Sequence, residues 1–354
     1  MVAQIARRVV APTRRYDLDT EFSQNCGVHK VSATIVRTQP TIDGEVPVLA
    51  SAAYLRCKSL NYGWIVTDQF VLPFFIDKKL IFKRLIFTTE PIARQAGPSN
   101  GYETIWPDVV HELRTVGIAD FIFKAQSNVL FSSFPEGSVS APWGTYEVDL
   151  QKSDDQLLGS FHGKHRNVIR KAIRDGVVVT ECSDPQVVYE NIKQTLQRQK
   201  VPAYPSYDYV IGLRQNLSNR SLMMVARYEG ALQGCALIVY DQQRAYYMYG
   251  GSAAKPYAGS INYLQYEAMK LLRDRGVKIY DLVGARINVE PGSKYEGIQT
   301  FKERFGATLR QGFAFRYSLN PIKYWLFNIA VKVFLRFKGL KYVDPIDQIR
   351  TSKA

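Results

Sequence analysis

Apolar residues gather in three consecutive short strand-like runs, residues 221–228, 231–239 and 245–249. Glu229-Gly230 and Asp241-Gln-Gln-Arg244 separate them, so the pattern predicts a three-stranded meander with tight turns. The spacing then lengthens. Ile261, Leu264, Ala268, Leu271 and Leu272 fall on one helical face, with Asn262 near its start and Gly276 where a C-terminal cap belongs. Val277-Lys-Ile-Tyr-Asp-Leu-Val283 reads as a buried strand, and a shorter helix over about 297–305 stops at Gly306. Meander, helix, strand and helix together predict an α/β (α+β) domain with a mostly antiparallel sheet.

The earlier half repeats this coarse order. Strand patterns at 64–66, 70–76 and 80–88 precede a helix over 107–115, in which Val109, Val110 and Leu113 share a face, and a strand at 121–123. Residues 1–50 are irregular, with Pro12, Pro40 and Pro47, and no residue-level repeat links the halves. The expected organisation is one domain over 1–150, completed by 315–354, and a second over 151–314. Ser153-Asp-Asp155 has the composition of a helix N-terminus. The stripe Leu158, Phe161, His165, Ile169 and Ala172 continues it to Gly176. Gly159 and Gly163 each cost roughly 1 kcal/mol relative to Ala, which predicts a bend or break between them. Helices follow over 185–199 and 207–217, separated by Lys200-Val-Pro-Ala-Tyr-Pro205, then a strand over 312–318 and a final helix over 321–338.

Composition narrows the class. The chain has 354 residues, 46% hydrophobic, enough for two ordinary globular cores. Its four cysteines, Cys26, Cys57, Cys182 and Cys235, have neither metal-ligand nor disulfide-framework spacing, which suits a reducing compartment. The N-terminal residues Met1-Val-Ala-Gln-Ile-Ala-Arg-Arg8 lack a signal-peptide pattern, and no run of about 18 apolar residues is present, so the expected location is cytoplasmic. A net charge of +14 favours phosphate-bearing partners: nucleic acid, anionic lipid or a phosphorylated substrate. His162 and His165 have metal-like spacing but lie among cations, so no metal site is expected.

Three motifs in order, Tyr246-Tyr-Met-Tyr-Gly-Gly-Ser252, Tyr280-Asp281-Leu-Val-Gly284 and Thr300-Phe301-Lys302-Glu-Arg-Phe305-Gly306, give the chain a resemblance to the Fem family. These are non-ribosomal peptidyltransferases that add bridge amino acids to peptidoglycan precursors. The resemblance implies two tandem GNAT-like domains, each a mostly antiparallel mixed sheet flanked by helices, with the chemistry kept in the second. It also implies an aminoacyl-tRNA donor, a lipid-linked or nucleotide-linked acceptor and no cofactor. The chain has no room for the long coiled-coil arm of some members. An acyl-CoA donor is the alternative, although the usual GNAT phosphate loop is missing and Arg94-Gln-Ala-Gly97-Pro-Ser99 is only a distorted echo of it. Two rival readings are an N-acyltransferase using a thioester on an amino sugar, and a non-enzymatic basic protein that binds tRNA or membrane.

The resemblance links Lys302, preceded by Phe301, to the acyl-transfer site, where a fixed ammonium would stabilise a tetrahedral oxyanion. The competing reading is a surface lysine on a turn that buries Ile298, Phe301 and Phe305. Asp281 would accept a proton, orient the amine or cap the following turn. Tyr249 precedes Gly250-Gly251, where substrate can approach the backbone. Lys164, Arg166, Arg170 and Arg174 form a dense basic run, with the arginines on one helical face; it is either a phosphate grip or a solvated surface. Lys58 loosely matches a phosphate-contacting lysine of the family. Tyr204-Pro205 stands where the family has an arginine before proline, a departure that bears on a nucleotide-linked acceptor. In the last helix Ile322, Trp325, Leu326, Ile329, Ala330, Val333, Phe334 and Phe337 form a stripe with cations around it. That stripe suits packing on the parent domain or a peripheral contact with an anionic membrane.

Overall fold

The computed structural model describes residues 32–95, 101–199, 201, 204–337, 339 and 341–351. The N-terminal eight residues, Pro12, Cys26, Gly97 with its flanking loop, Lys200, Pro202 and Ala203 lie outside them. The first half contributes strands β1 (Thr34–Val36), β2 (Tyr62–Val66), β3 (Phe70–Lys79), β4 (Phe82–Phe87), β5 (Ile92–Ala93) and β6 (Phe121–Ile122). Helices α1 (Ala52–Lys58) and α2 (Trp106–Val116) pack on them. Next come β7 (Val139–Asp149), α3 (Asp154–Ser160), α4 (Gly163–Arg174), β8 (Val178–Glu181), α5 (Pro185–Arg198) and α6 (Tyr207–Leu217). The expected meander is β9 (Ser221–Tyr228), β10 (Ala231–Tyr240) and β11 (Arg244–Ser252). It leads into α7 (Ser260–Asp274), β12 (Ile279–Asp281), β13 (Ala285–Arg286), α8 (Lys294–Glu303) and β14 (Thr308–Ser318). Helices α9 (Pro321–Phe337) and α10 (Pro345–Thr351) end the described chain.

This is a mixed α/β fold in which all the described strands join one sheet, ordered β1-β2-β3-β4-β6-β14-β7-β12-β11-β10-β9-β8, with β5 and β13 at its side. Most neighbours are antiparallel; β4 with β6 and β11 with β12 are the parallel pairs. Strand β14 joins the two halves. Its long run pairs with β7, and its last residues, Tyr317 and Ser318, pair with Ile122 and Phe121 of β6. One core, under α4 and α7, includes Ile169, Leu264, Met269 and Tyr280. On another, Tyr54, Leu55 and Trp64 pack against Val188, Ile192, Leu213 and Val239, so α1 of the first half shares a core with α5 and α6 of the second.

The glycine-flanked helix is broken as its composition predicts. Ser153 and Gln156 close a capping box on α3, and Phe161 turns into the core between α3 and α4, meeting Phe305 edge-on at 5.2 Å. His162 then caps α4, its Nδ1 accepting from the Lys164 amide at 3.1 Å. The end of α8 is fastened to this break. Gly306 has φ +67°, and a Cβ there would stand 2.5 Å from the Ser160 carbonyl oxygen. Gly306→Ala is therefore expected to lower stability by about 2 kcal/mol or more, combining left-handed strain with a backbone clash. Urea denaturation measures this; a midpoint close to that of the parent would mean that Ser160 moves aside at little cost.

Candidate active site

Strands β11 and β12 run parallel from Arg244 and Ile279 as far as Tyr246 and Asp281, and then separate. Strand β11 continues along β10 with a bulge at Met248, between the pairs Leu237–Tyr249 and Ile238–Tyr247. The other chain stays with β7: the Leu282 amide donates to the Tyr146 carbonyl at 2.9 Å, and Ala285 and Arg286 pair with Gly144 and Trp143. Between them the backbone turns through two left-handed residues, Val283 at φ +36° and Gly284 at φ +62°. A β-branched residue in this region is strained, and such strain persists only where the surroundings impose it.

Two sequence-predicted residues impose it. Asp281 is fully buried, and its Oδ1 accepts from the Val283 amide at 2.8 Å and from the Thr145 hydroxyl, while Oδ2 lies 3.3 Å from Arg244. Burial pushes its carboxyl upward, against the Thr145 hydrogen bond and the Arg244 charge. From the other side Lys302, only 8% exposed, donates its ammonium to the Val283 carbonyl and to the Gly284 carbonyl, the latter at 2.6 Å. Burial pushes Lys302 down to about 8, with Asp281 opposing. Lys302 is thus not a surface lysine. Phe301 beside it packs on Phe305 and on His165, a buried ring whose pKa burial lowers to about 4.

Where the strands part there is a cleft of about 240 Å³ lined by Lys58, Gln126, Ser127, Met248, Tyr249 and Val283, together with Asn128. Lys58 and Tyr249, far apart in sequence, therefore face one space. The Lys58 ammonium sits 4.0 Å from the centre of the Tyr209 ring, and burial pulls it down to about 7. The Tyr54 hydroxyl donates to Gln126 Oε1 at 3.0 Å, which leaves the Gln126 amide nitrogen and the Tyr209 hydroxyl buried without partners among the described residues. Ammonium, amide and phenol together can donate to an acceptor-rich group. A second cavity of about 210 Å³ also includes Asn128 and is lined by Glu90, Arg244, Tyr246, Asp281 and Arg310, an ionic cluster in which Arg244 pairs with Glu147 and Arg310 with Glu90.

The remaining candidates lie elsewhere. Lys164, Arg166, Arg170 and Tyr204 line neither cavity. Arg166 Nη1 donates to the Gly159 and Phe161 carbonyls at 2.8 Å each, closing the end of α3. Lys164, Arg170 and Arg174 are exposed and form no side-chain hydrogen bond among the described residues. Gln126, Ser127, Asn128 and Tyr209 were not singled out by the sequence. The one signal for the first three was a polar run directly after the apolar strand at 121–123, since polar side chains at strand ends often border clefts.

Lys302 makes the fold sensitive to pH. Its folded pKa of about 8 is below the ordinary 10.5, so between these values the unfolded chain binds more protons. Its contribution to stability is complete above 10.5 and is lost as pH falls through about 8. Lys302→Met should therefore flatten the rise in urea midpoint expected for the parent between about pH 8 and about pH 10. Equal slopes in both proteins would show that the ammonium does not titrate in that range.

Residues 221–332 match the model of the FemAB family. A lipid II:glycine glycyltransferase of Staphylococcus haemolyticus is 34% identical, over 84% of this chain and 88% of the relative. Its counterpart in Staphylococcus epidermidis is 31% identical, over 56% of this chain and 65% of the relative. The crystal structure of FemX shares the fold, with a TM-score of 0.59 at 17% identity, over 79% of this chain and 94% of FemX. With a relative 34% identical over 84% of this chain and 88% of its own length, the chain belongs to the FemAB family.

Proposed function

We propose that this protein is a Fem-type aminoacyltransferase that moves an amino acid from aminoacyl-tRNA to an amine of a lipid-linked peptidoglycan precursor. Glycyl transfer to lipid II, the activity named for its relatives, is the specific form the likeness favours. The observation that carries the reading is the cleft at the strand splay, which Lys58, Tyr249 and Val283 line and behind whose Val283-Gly284 turn Lys302 is buried.

The acceptor amine attacks the ester carbonyl; a C–N bond forms and the C–O bond to the tRNA ribose breaks. The amine gives up a proton and the departing ribose oxygen takes one. Lys302 has three N–H donors, two of them directed at the Val283 and Gly284 carbonyls, and the third is the one to meet the oxyanion. Tyr249 lines the cleft, and burial raises its pKa, so the phenol stays protonated and can relay the proton. Asp281 holds the turn rather than taking the proton, because both of its oxygens are engaged. Lys58, with the donors around it, receives an anionic part of the acceptor. The exposed Lys164, Arg170 and Arg174 of α4 offer charge to the tRNA backbone, where each phosphate contact carries a salt dependence.

Purified protein assayed with lipid II and glycyl-tRNA should form a glycyl-amide product, whereas glycyl-CoA should not replace the tRNA. The opposite preference would transfer the chain to thioester chemistry. Lys302→Met should lower the rate by about 100-fold or more, as loss of an oxyanion donor does. The charged form is the active one, so the parent rate should fall as pH rises through about 8. Lys302→Arg, where active, should lose that fall. Activity of folded Lys302→Met within a few-fold of the parent would remove Lys302 from the chemistry.

A further inference from the structure

Helix α9 has two apolar faces, and among the described residues only one of them is used for packing. Phe327 is buried between Phe82 and Phe121, at ring separations of 5.5 and 5.0 Å, with Tyr324, Ala330 and Val331 beside it. Ile322, Trp325, Leu326, Ile329, Val333 and Phe337 are all exposed, Trp325 by 62%. At 3.6 residues per turn these six centre roughly 150° around the helix from the packed face.

A second exposed apolar element adjoins the packed side of the helix. Phe82, packed on Phe327, directly follows the tip of the β3–β4 hairpin, where Leu80 is 81% and Ile81 75% exposed. Leu80 has φ +55°, a conformation that favours Gly or Asn, so neither backbone geometry nor burial accounts for leucine there. Lys78 and Lys79 precede this tip, and Lys332 and Arg336 lie on α9; all four are exposed and form no ion pair among the described residues. Helix α9 contains no acidic residue. Where it ends, Lys332, Arg336, Gly339, Lys341 and Tyr342 line a groove of about 600 Å³.

We propose that the outer face of α9 and the Leu80-Ile81 tip form a docking surface for an anionic lipid bilayer. Trp, Phe and Leu side chains enter the interfacial layer, while the neighbouring Lys and Arg stems extend to the lipid phosphates. Charge selects this occupant. A second copy docked through the same face would oppose like charges. The N-terminal segment, with Arg7, Arg8, Arg14, Arg15 and Lys30 against Asp17, Asp19 and Glu21, has the same sign as the surface. The inference goes beyond the acyl-transfer reading and rests on exposure and charge alone, so a binding assay can fail or succeed independently of transfer.

The chain carries its own probe, because Trp64, Trp106 and Trp143 are buried and Trp325 is the exposed one of its four tryptophans. Titrating the full-length protein with phosphatidylglycerol-containing vesicles should shift its tryptophan emission to the blue. Phosphatidylcholine vesicles should shift it much less, and Trp325→Phe should abolish the shift while co-sedimentation persists. Lys332→Gln with Arg336→Gln should weaken co-sedimentation about 25-fold, the product of about 5-fold per cation near an anionic surface. Leu80→Ser with Ile81→Ser should weaken it too; all four positions are exposed, so folding should be unaffected. No shift and no co-sedimentation at low salt would overturn the proposal. So would equal binding to both vesicle types, or a dimer in solution that Trp325→Ser dissociates.

Discussion

The site depends on two buried charges holding one strained turn. Val283 and Gly284 are left-handed because Asp281 takes the Val283 amide and Lys302 takes both carbonyls. An ammonium removed from water is costly unless acceptors surround it, and two convergent carbonyls supply that environment. Each member therefore stabilises the others. Without Lys302 two inward carbonyls lose their donor; without the turn, Lys302 would be a buried cation with nothing to bind. The turn is also what interrupts the run from β12 to β13 along β7, and at that interruption the sheet opens into the cleft.

The cleft draws on both halves of the chain. Lys58 comes from the end of α1 and Gln126 to Asn128 from the loop after β6, while Met248, Tyr249 and Val283 come from the splayed strands. What brings them together is β14, which pairs with β7 and with β6, and the core shared by α1, α5 and α6. Tyr209 of α6 is stacked against Lys58 and meets Tyr249 edge-on, so a helix of the second half positions a lysine of the first.

Much of this was legible in the sequence, and the exceptions have physical causes. The meander, α5, α6, α7 and α9 lie within a few residues of their expected bounds because their apolar periods are long and regular. Strand β7 was not anticipated, because Pro142 and Gly144 look like strand breakers. At Pro142 the strand pairs only with β14, since β13 reaches no further than Trp143. Helix α1 escaped notice because it is seven residues long and buries only Tyr54 and Leu55. The motifs drew attention to Lys302, Asp281 and Tyr249, but no period or spacing could reveal that Lys302 and Asp281 both bond to the turn at Val283. That is a property of the turn between them. Gln126 and Tyr209 carry no motif, and their unpartnered polar atoms become visible only once the cores have formed.

The charge of +14 divides into populations that do different things. Arg244, Arg310 and Arg316, all on strands, are paired with carboxylates, where the guanidinium fork suits fixed geometry and charge stays constant with pH. Around the cleft the cations are instead lysines, Lys58, Lys302 and, over the Trp143 ring, Lys124; burial lowers all three to between about 7 and about 8. A lysine in that range is only partly committed to its charge, and an arriving anion raises its pKa and completes its protonation. Any anion that reaches them thus strengthens the field that receives it. Lys171 of α4 and Lys323 of α9 pair with Asp175 and Asp120, whereas the exposed Lys164, Arg170, Arg174, Lys332 and Arg336 form no ion pair among the described residues, so their charge is open to a partner outside the protein. Arginine in the ion pairs, buried lysine near the cleft and unpaired cations on the helices differ in burial and in pairing, and the bulk charge alone could not distinguish these populations.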